Sequence, residues 1–104
     1  MIIDVTASTV SMRDLRVFDD FHVEVPADVD LDEALTLAGA GRAIGDGDVY
    51  ISLPWIRAFM AERGDDDEEW HTGFEGMIGY ARSRGWISED GQAFRSHVTL
   101  VEQR

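Results

Sequence analysis

His71 and Glu75 are the residues of this chain whose types and spacing most directly suggest chemistry. They stand four positions apart in a predicted helix, so both side chains could reach one metal ion. A third ligand could come from His97, Glu68 or Asp67. Metal-binding helices usually bring a second histidine or a fixed downstream ligand, and neither is present. A surface hydrogen bond between His71 and Glu75 is the better interpretation, and we expect no metal or other cofactor.

The densest charge in the sequence is the run of carboxylates at residues 65–69. Hard oxygen ligands suit Ca²⁺, but calcium loops space their ligands around a central glycine, and this run is contiguous. Carboxylates at a helix start are stabilised instead by the partial positive charge of the helix N-terminus. We therefore expect Asp65, Asp66 and Asp67 to form a solvated helix start. The sequence has no GxSxG or phosphate-loop signature, which disfavours an enzyme without excluding one.

Three glycines, Gly73, Gly76 and Gly79, fall inside the last predicted helix. Each costs roughly 0.5–1 kcal/mol relative to alanine in a helix interior, so their presence calls for a reason. The favoured explanation is close packing of the helix against the N-terminal strands. The alternative is a shallow groove, edged by Tyr80, where the backbone of a partner or ligand approaches.

The remaining elements are predicted from short apolar patterns and from their flanking residues. A two-strand unit at residues 15–18 and 21–25 surrounds Asp19-Asp20, and residues 39–48, rich in glycine, are predicted as a turn region. Further strands are predicted at residues 2–6 and 49–53. Helices are predicted at residues 31–40, 54–63 and 68–84.

Residues 86–101 are predicted to form a β-hairpin around the dipeptide Asp90-Gly91. This dipeptide favours a two-residue turn in which both residues have positive φ. In the resulting register Ile87 faces Phe94. The hairpin is the best-defined strand pairing in the sequence.

The charge balance limits the kind of partner. The formal net charge is −12, and all nine basic residues are arginines. Residues 1–29, 30–63 and 64–104 carry −4, −3 and −5, so no segment is basic. Binding to nucleic acid or to an anionic membrane is therefore not expected. Adaptation of a high-GC or halophilic genome is the favoured explanation of the acidity, ahead of a functional one.

Length and composition indicate a single folded domain, residues 1–104. No apolar run approaches the roughly 18 residues needed to span a bilayer, and no secretory signal is visible. The sequence contains no cysteine, which excludes disulfides and thiolate metal sites. We expect a cytoplasmic protein.

From residue 31 onward the predicted order is helix, strand, helix, helix and hairpin. This order resembles a winged helix-turn-helix domain with Asp90-Gly91 at the wing tip, preceded here by an N-terminal strand and hairpin. The resemblance implies an α+β fold and concerns element order alone. In DNA-binding winged helices the second helix of the pair enters the major groove. Its counterpart here carries Glu68, Glu69 and Glu75, which favours protein binding over DNA binding.

These patterns together predict a small acidic, non-catalytic module for protein interaction or regulation. Its partner would be another protein, such as one with a basic surface, and self-association is left open. The predicted interaction surface combines the acidic helix start, the polar face of the last helix and the hairpin edge. Its residues are Asp65, Asp66, Asp67, Glu75, Gly76 and Tyr80.

Two other functions are compatible with the sequence. The first is an acidic nucleic-acid mimic that inhibits a basic partner, whose binding would weaken with salt and be lost when Asp65, Asp66 and Asp67 become Asn. The second is a small enzyme or ligand-binding subunit with a pocket near His71 and Glu75, completed by Trp70 and Tyr80.

Overall fold

The described residues fold into one mixed sheet with three helices. The computed structural model describes residues 1–45 and 47–102, and the elements below are those of this part of the chain. The sheet has six strands in the order β2-β1-β3-β6-β5-β4. The strands are β1 (Ile2–Val5), β2 (Val10–Arg13), β3 (His22–Pro26), β4 (Gly41–Gly45), β5 (Asp48–Ser52) and β6 (Ala93–Val101). The helices are α1 (Leu31–Ala38), α2 (Leu53–Arg63) and α3 (Glu68–Ser83). The expected α+β class is confirmed.

The three helices lie where capping signals place them. The Asp30 carboxylate accepts from the Glu33 N–H at 3.1 Å at the start of α1, and the Asp67 carboxylate accepts from the Trp70 N–H at 2.8 Å at the start of α3. Gly64, with φ +73°, ends α2 in the left-handed conformation that glycine adopts most easily. All three helices agree with the sequence prediction to within two residues at each end.

The predicted strand at residues 15–18 is wrong. Residues 14–20, here called the 14–20 loop, leave the sheet because Asp14 has φ +52° and Val17 N–H closes a turn onto the Asp14 carbonyl. The strand next to β1 is instead β2, an alternating four-residue segment that was not among the predicted strands. As a result β3 pairs in parallel with β1 rather than in a local hairpin.

The glycine-rich turn region predicted at residues 39–48 contains an unexpected strand, β4. Its Gly41 is required by close approach, because a Cβ atom there would lie 2.0 Å from the Tyr50 carbonyl oxygen of β5. Asp46, in the same predicted turn, lies outside the described residues.

The hairpin is confirmed in its register, since Ile87 and Phe94 form an antiparallel bridge. Its turn differs from the prediction, because Gly91 has positive φ but Asp90 does not. The Gly91 N–H donates to the Ser88 carbonyl at 2.9 Å, which makes a tight turn that ends in a left-handed glycine.

The core lies between the helices and one face of the sheet. It includes Ile3, Val23 and Ile51 from the strands and Trp70 and Phe74 from α3, all fully buried. No helix of the described residues is both long enough and apolar enough to cross a membrane.

Candidate functional site

Strand β6 changes partners along its length. Residues 93–97 pair with β5, and residues 98–101 pair with β3. Strands β5 and β3 lie on opposite edges of β6. Since pairing with β3 begins only at Val98, the part of β6 before Val98 does not pair with β3 and leaves that edge free of it.

A bridge between Ile87 and Phe94 covers the beginning of this free edge. Ser96 and His97 lie between that bridge and Val98, where pairing with β3 begins. Within the described residues no strand covers them on this edge, and a cavity opens there.

This α3–β6 cavity is bounded by α3, by the residue Trp86 that follows it, by β6 and by the end of the 14–20 loop. Its volume is about 850 Å³, within the roughly 300–1,000 Å³ of typical small-molecule pockets. Most of the lining surface is apolar. The large apolar side chains in it are Phe18, Phe21, Met77, Tyr80, Trp86 and Phe94.

The aromatic side chains are held against one another. The rings of Phe21 and Phe94 lie 4.4 Å apart between their centroids. Tyr80 and Trp86 meet edge to face at 5.8 Å, and both remain exposed, at 60% and 38% of their surface. Large rings left open to solvent around a cavity provide apolar area that a ligand could cover.

The glycines of α3 separate into two groups. A Cβ atom on Gly73 would lie 2.2 Å from the Phe18 ring, so this glycine permits close packing of the 14–20 loop on the helix. The packing explanation is therefore confirmed for Gly73, although its neighbour is a loop and not a strand. Apart from the adjacent residues and the backbone of α3 itself, no atom of the described residues lies within 4 Å of a Cβ built on Gly76 or Gly79. Gly76 lines the cavity and Gly79 does not.

Among the charged residues that line the cavity, carboxylates outnumber basic groups. Asp19, Asp20 and Asp48 contribute carboxylates to its lining, and Arg95 contributes a guanidinium. The Arg95 Nε and Nη2 atoms both lie 2.9 Å from the Asp48 carboxylate, so these two charges compensate each other. Asp20 lies 3.1 Å from His22 Nδ1 and its carbonyl accepts from the Met1 ammonium at 2.8 Å, whereas Asp19 forms no ion pair among the described residues.

Beside the cavity, His22 connects several charged groups on the open face of the sheet. Its Nδ1 lies 3.1 Å from the Asp20 carboxylate and its Nε2 lies 2.9 Å from that of Glu24. Arg13 joins Glu24 to Asp4 on the neighbouring strands. Burial of the His22 ring opposes its protonation, but the hydrogen bonds to Glu24 and Asp20 outweigh burial and raise its pKa.

The predicted acidic residues at the start of α3 are paired. Two Arg16 nitrogens lie 3.1 and 2.8 Å from the Asp67 carboxylate, while Asp65 lies 3.0 Å from Arg63. Asp66 lies 3.9 Å from His71 Nε2. The bond from Arg16, followed by that from the Trp70 N–H, lowers the pKa of Asp67. The Asp67 carboxylate therefore anchors the 14–20 loop and caps α3, and none of the three carboxylates lines the cavity.

The predicted hydrogen bond between His71 and Glu75 does not form. Glu75 is bound instead by Arg57 of α2, at 2.6 Å. Arg57 also lies over the Phe74 ring at 4.9 Å, which places its guanidinium within reach of Glu75. Neither His71 nor Glu75 lines the α3–β6 cavity, and Trp70 is fully buried in the core. Of the residues predicted around a pocket, Tyr80 alone lies there.

The cavity contains a hydroxyl but no arrangement that activates it. Ser96 Oγ donates to the backbone oxygen of His97 at 3.0 Å. The ring of His97 stacks on His22 at 5.6 Å. Ser96 and His97 are successive strand residues and point to opposite faces of the sheet, so the imidazole does not serve the hydroxyl as a base. No group of three or more His, Asp or Glu among the described residues could hold a metal ion.

The sequence pattern pointed to Gly76 and Tyr80 but not to the aromatic residues across the cavity from them. Phe18 and Phe21 were assigned to strands, and Trp86 and Phe94 to a hairpin, each for local reasons. Their aromatic type was the available signal, but their proximity depends on contacts between distant parts of the chain.

The chain matches no protein-family model, no curated protein and no solved structure. The geometry of the site is therefore the basis for the function proposed below.

Proposed function

We propose that this chain is a small, non-catalytic binding module whose ligand enters the α3–β6 cavity. The observation that supports this most directly is Gly76. It occupies the middle of a helix, where glycine costs roughly 0.5–1 kcal/mol relative to alanine. No described neighbour uses the space that a side chain would fill, and that space belongs to the cavity.

A small molecule fits this site better than the flat surface of a protein. The cavity is concave and mostly apolar, and it has the volume of a typical small-molecule pocket. The protein-binding surface predicted at Asp65, Asp66, Asp67 and Glu75 remains a separate proposal. Each of those carboxylates already lies within ion-pair distance of a basic side chain, which makes them less available to a partner.

The resemblance to winged helix domains also remains a proposal. The succession of α1, β5, α2, α3 and the bridged segment ending in β6 supports it. Strand β4 and the parallel pairing of β3 with β1 and β6 are features that the resemblance did not include.

The test is to block the cavity from α3. We expect Gly76→Leu to place an apolar side chain in the cavity and to weaken binding of a neutral aromatic probe, 2-naphthylmethanol. The expected loss is at least about tenfold, which corresponds to about 1.4 kcal/mol. Binding is measured by ligand-observed NMR and isothermal titration calorimetry.

Gly79→Leu is the matched control, because Gly79 lies on the same helix with the same open space but outside the cavity. It should fold with equal or greater stability and retain the affinity of the original chain. Loss of binding in both variants, or unfolding of Gly76→Leu alone, would contradict the proposal. The second outcome would show that Gly76 is needed for packing.

A further inference from the structure

We propose that the ligand of the α3–β6 cavity is a small organic cation, an ammonium group on an aromatic or polycyclic body. This inference rests on the proposed function and adds the charge and shape of the ligand. Its basis is the combination of an aromatic lining with the exposed Asp19 carboxylate on the rim.

The shape of the site calls for a large apolar body. Phe18, Tyr80 and Trp86, which keep part of their rings exposed, border a volume of about 850 Å³. A lysine side chain from a partner protein carries the same ammonium group but only a thin aliphatic stem. It would leave most of these rings uncovered, whereas a fused aromatic body would cover them.

The charge of the site calls for a cation. With Arg95 compensated by Asp48 and Asp20 lying 3.1 Å from His22 Nδ1, the carboxylate of the rim that forms no ion pair among the described residues is Asp19. Aromatic faces also attract cations. The Arg84 guanidinium already lies 5.7 Å from the centre of the Trp86 ring, so the attraction of the ligand is assigned to the other rings of the lining. An anion of the same size would meet repulsion from the rim and from a chain of net charge −12.

The experiment compares three probes that share one aromatic body: 2-naphthylmethylammonium, 2-naphthylmethanol and 2-naphthoate. We expect the ammonium to bind at least about fivefold more tightly than the alcohol. This is the gain from an attraction of about 1 kcal/mol, which one carboxylate about 4 Å from the ammonium provides in water. The carboxylate should bind most weakly. Raising the salt concentration to about 1 M should reduce the advantage of the ammonium and leave the affinity of the alcohol nearly unchanged.

Variants identify the source of the selectivity. Asp19→Asn keeps the size of the side chain and removes its charge, so it should reduce the ammonium-to-alcohol ratio by about twofold or more. Asp28→Asn removes an exposed charge that does not line the cavity and should leave the ratio unchanged.

The outcomes separate the two proposals. If the alcohol binds as tightly as the ammonium, or the carboxylate binds best, the cavity binds ligands but the inferred charge is wrong. Equal effects of Asp19→Asn and Asp28→Asn would mean that the ammonium responds to the overall charge, which also overturns the inference. If none of the probes binds, the proposed function itself fails.

Discussion

At the scale of single residues, the structure shows which partners the ionisable side chains have, and these partners are not visible in the sequence. Asp65, Asp66 and Asp67 are conspicuous in the sequence as an acidic run. In the folded chain Asp67 caps α3 and also binds Arg16, which lies 51 positions earlier. His22, which no pattern singled out, is the histidine with two carboxylate partners.

His22 leads to a prediction about pH. Its pKa in the folded chain is raised, on balance, by Glu24 and Asp20, above the unfolded value of about 6.5. The protonated ring therefore stabilises the fold. This contribution is fully present below about pH 6.5 and is lost as the pH rises through the raised pKa.

The measurement is the free energy of unfolding by urea between about pH 5.5 and about pH 8.5. We expect the original chain to lose stability relative to His22→Gln as the pH rises. NMR titration of the His22 ring gives the folded-state pKa directly. A difference between the two proteins that stays constant with pH would contradict the assigned contacts.

At the scale of elements, the contact between α3 and the 14–20 loop determines one wall of the cavity. Gly73 permits the Phe18 ring to approach the helix, and the Trp70 indole N–H donates to the Leu15 carbonyl at 3.0 Å. The segment was predicted as a strand because its residues are apolar. It forms a loop in which the Phe18 ring and the Leu15 carbonyl contact α3, and the Val17 carbonyl accepts from the Met1 ammonium at 2.6 Å.

This contact predicts different effects for two alanine substitutions in α3. Gly79→Ala should stabilise the chain by roughly 0.5–1 kcal/mol, since its Cβ meets open space. Gly73→Ala should be less stable than Gly79→Ala by about 1 kcal/mol or more, because its Cβ displaces the Phe18 ring. Urea denaturation of both variants measures the difference.

A double-mutant cycle shows whether Phe18 is the cause. In a Phe18→Ala background the obstructing ring is absent, so Gly73→Ala should become as favourable as Gly79→Ala. If Gly73→Ala has the same effect with and without Phe18, the two residues do not interact as the structure indicates.

At the scale of the whole molecule, the net charge of −12 acts against the compact state. Ion pairs such as Arg57–Glu75 and Arg16–Asp67 are largely exposed, and exposed pairs add little stability. General repulsion should therefore dominate the response to salt.

We expect Tm to rise when NaCl is increased from about 0.05 M to about 1 M, since the Debye length falls to about 3 Å. A gain on the order of 1 kcal/mol would raise Tm by roughly 4–8 °C in a domain of this size. A variant that neutralises exposed Asp28, Glu62 and Glu89 should respond less. A Tm that falls with added salt would show that the ion pairs outweigh the repulsion.

The sequence by itself determined the features that depend on neighbours along the chain. Helices α2 and α3 were predictable because Gly64, Asp67 and the repeating apolar face act within one or two turns. The register of Ile87 with Phe94 was predictable because a short turn joins them.

Tertiary structure decided which strands pair and therefore where the cavity lies. Strand β6 pairs with β3 and β5, which precede it by more than forty residues, and no local pattern encodes that choice. The same distance explains why Gly73 and Gly76 look alike in the sequence. One meets Phe18 and the other meets open space, because the loop that crosses α3 covers only the first.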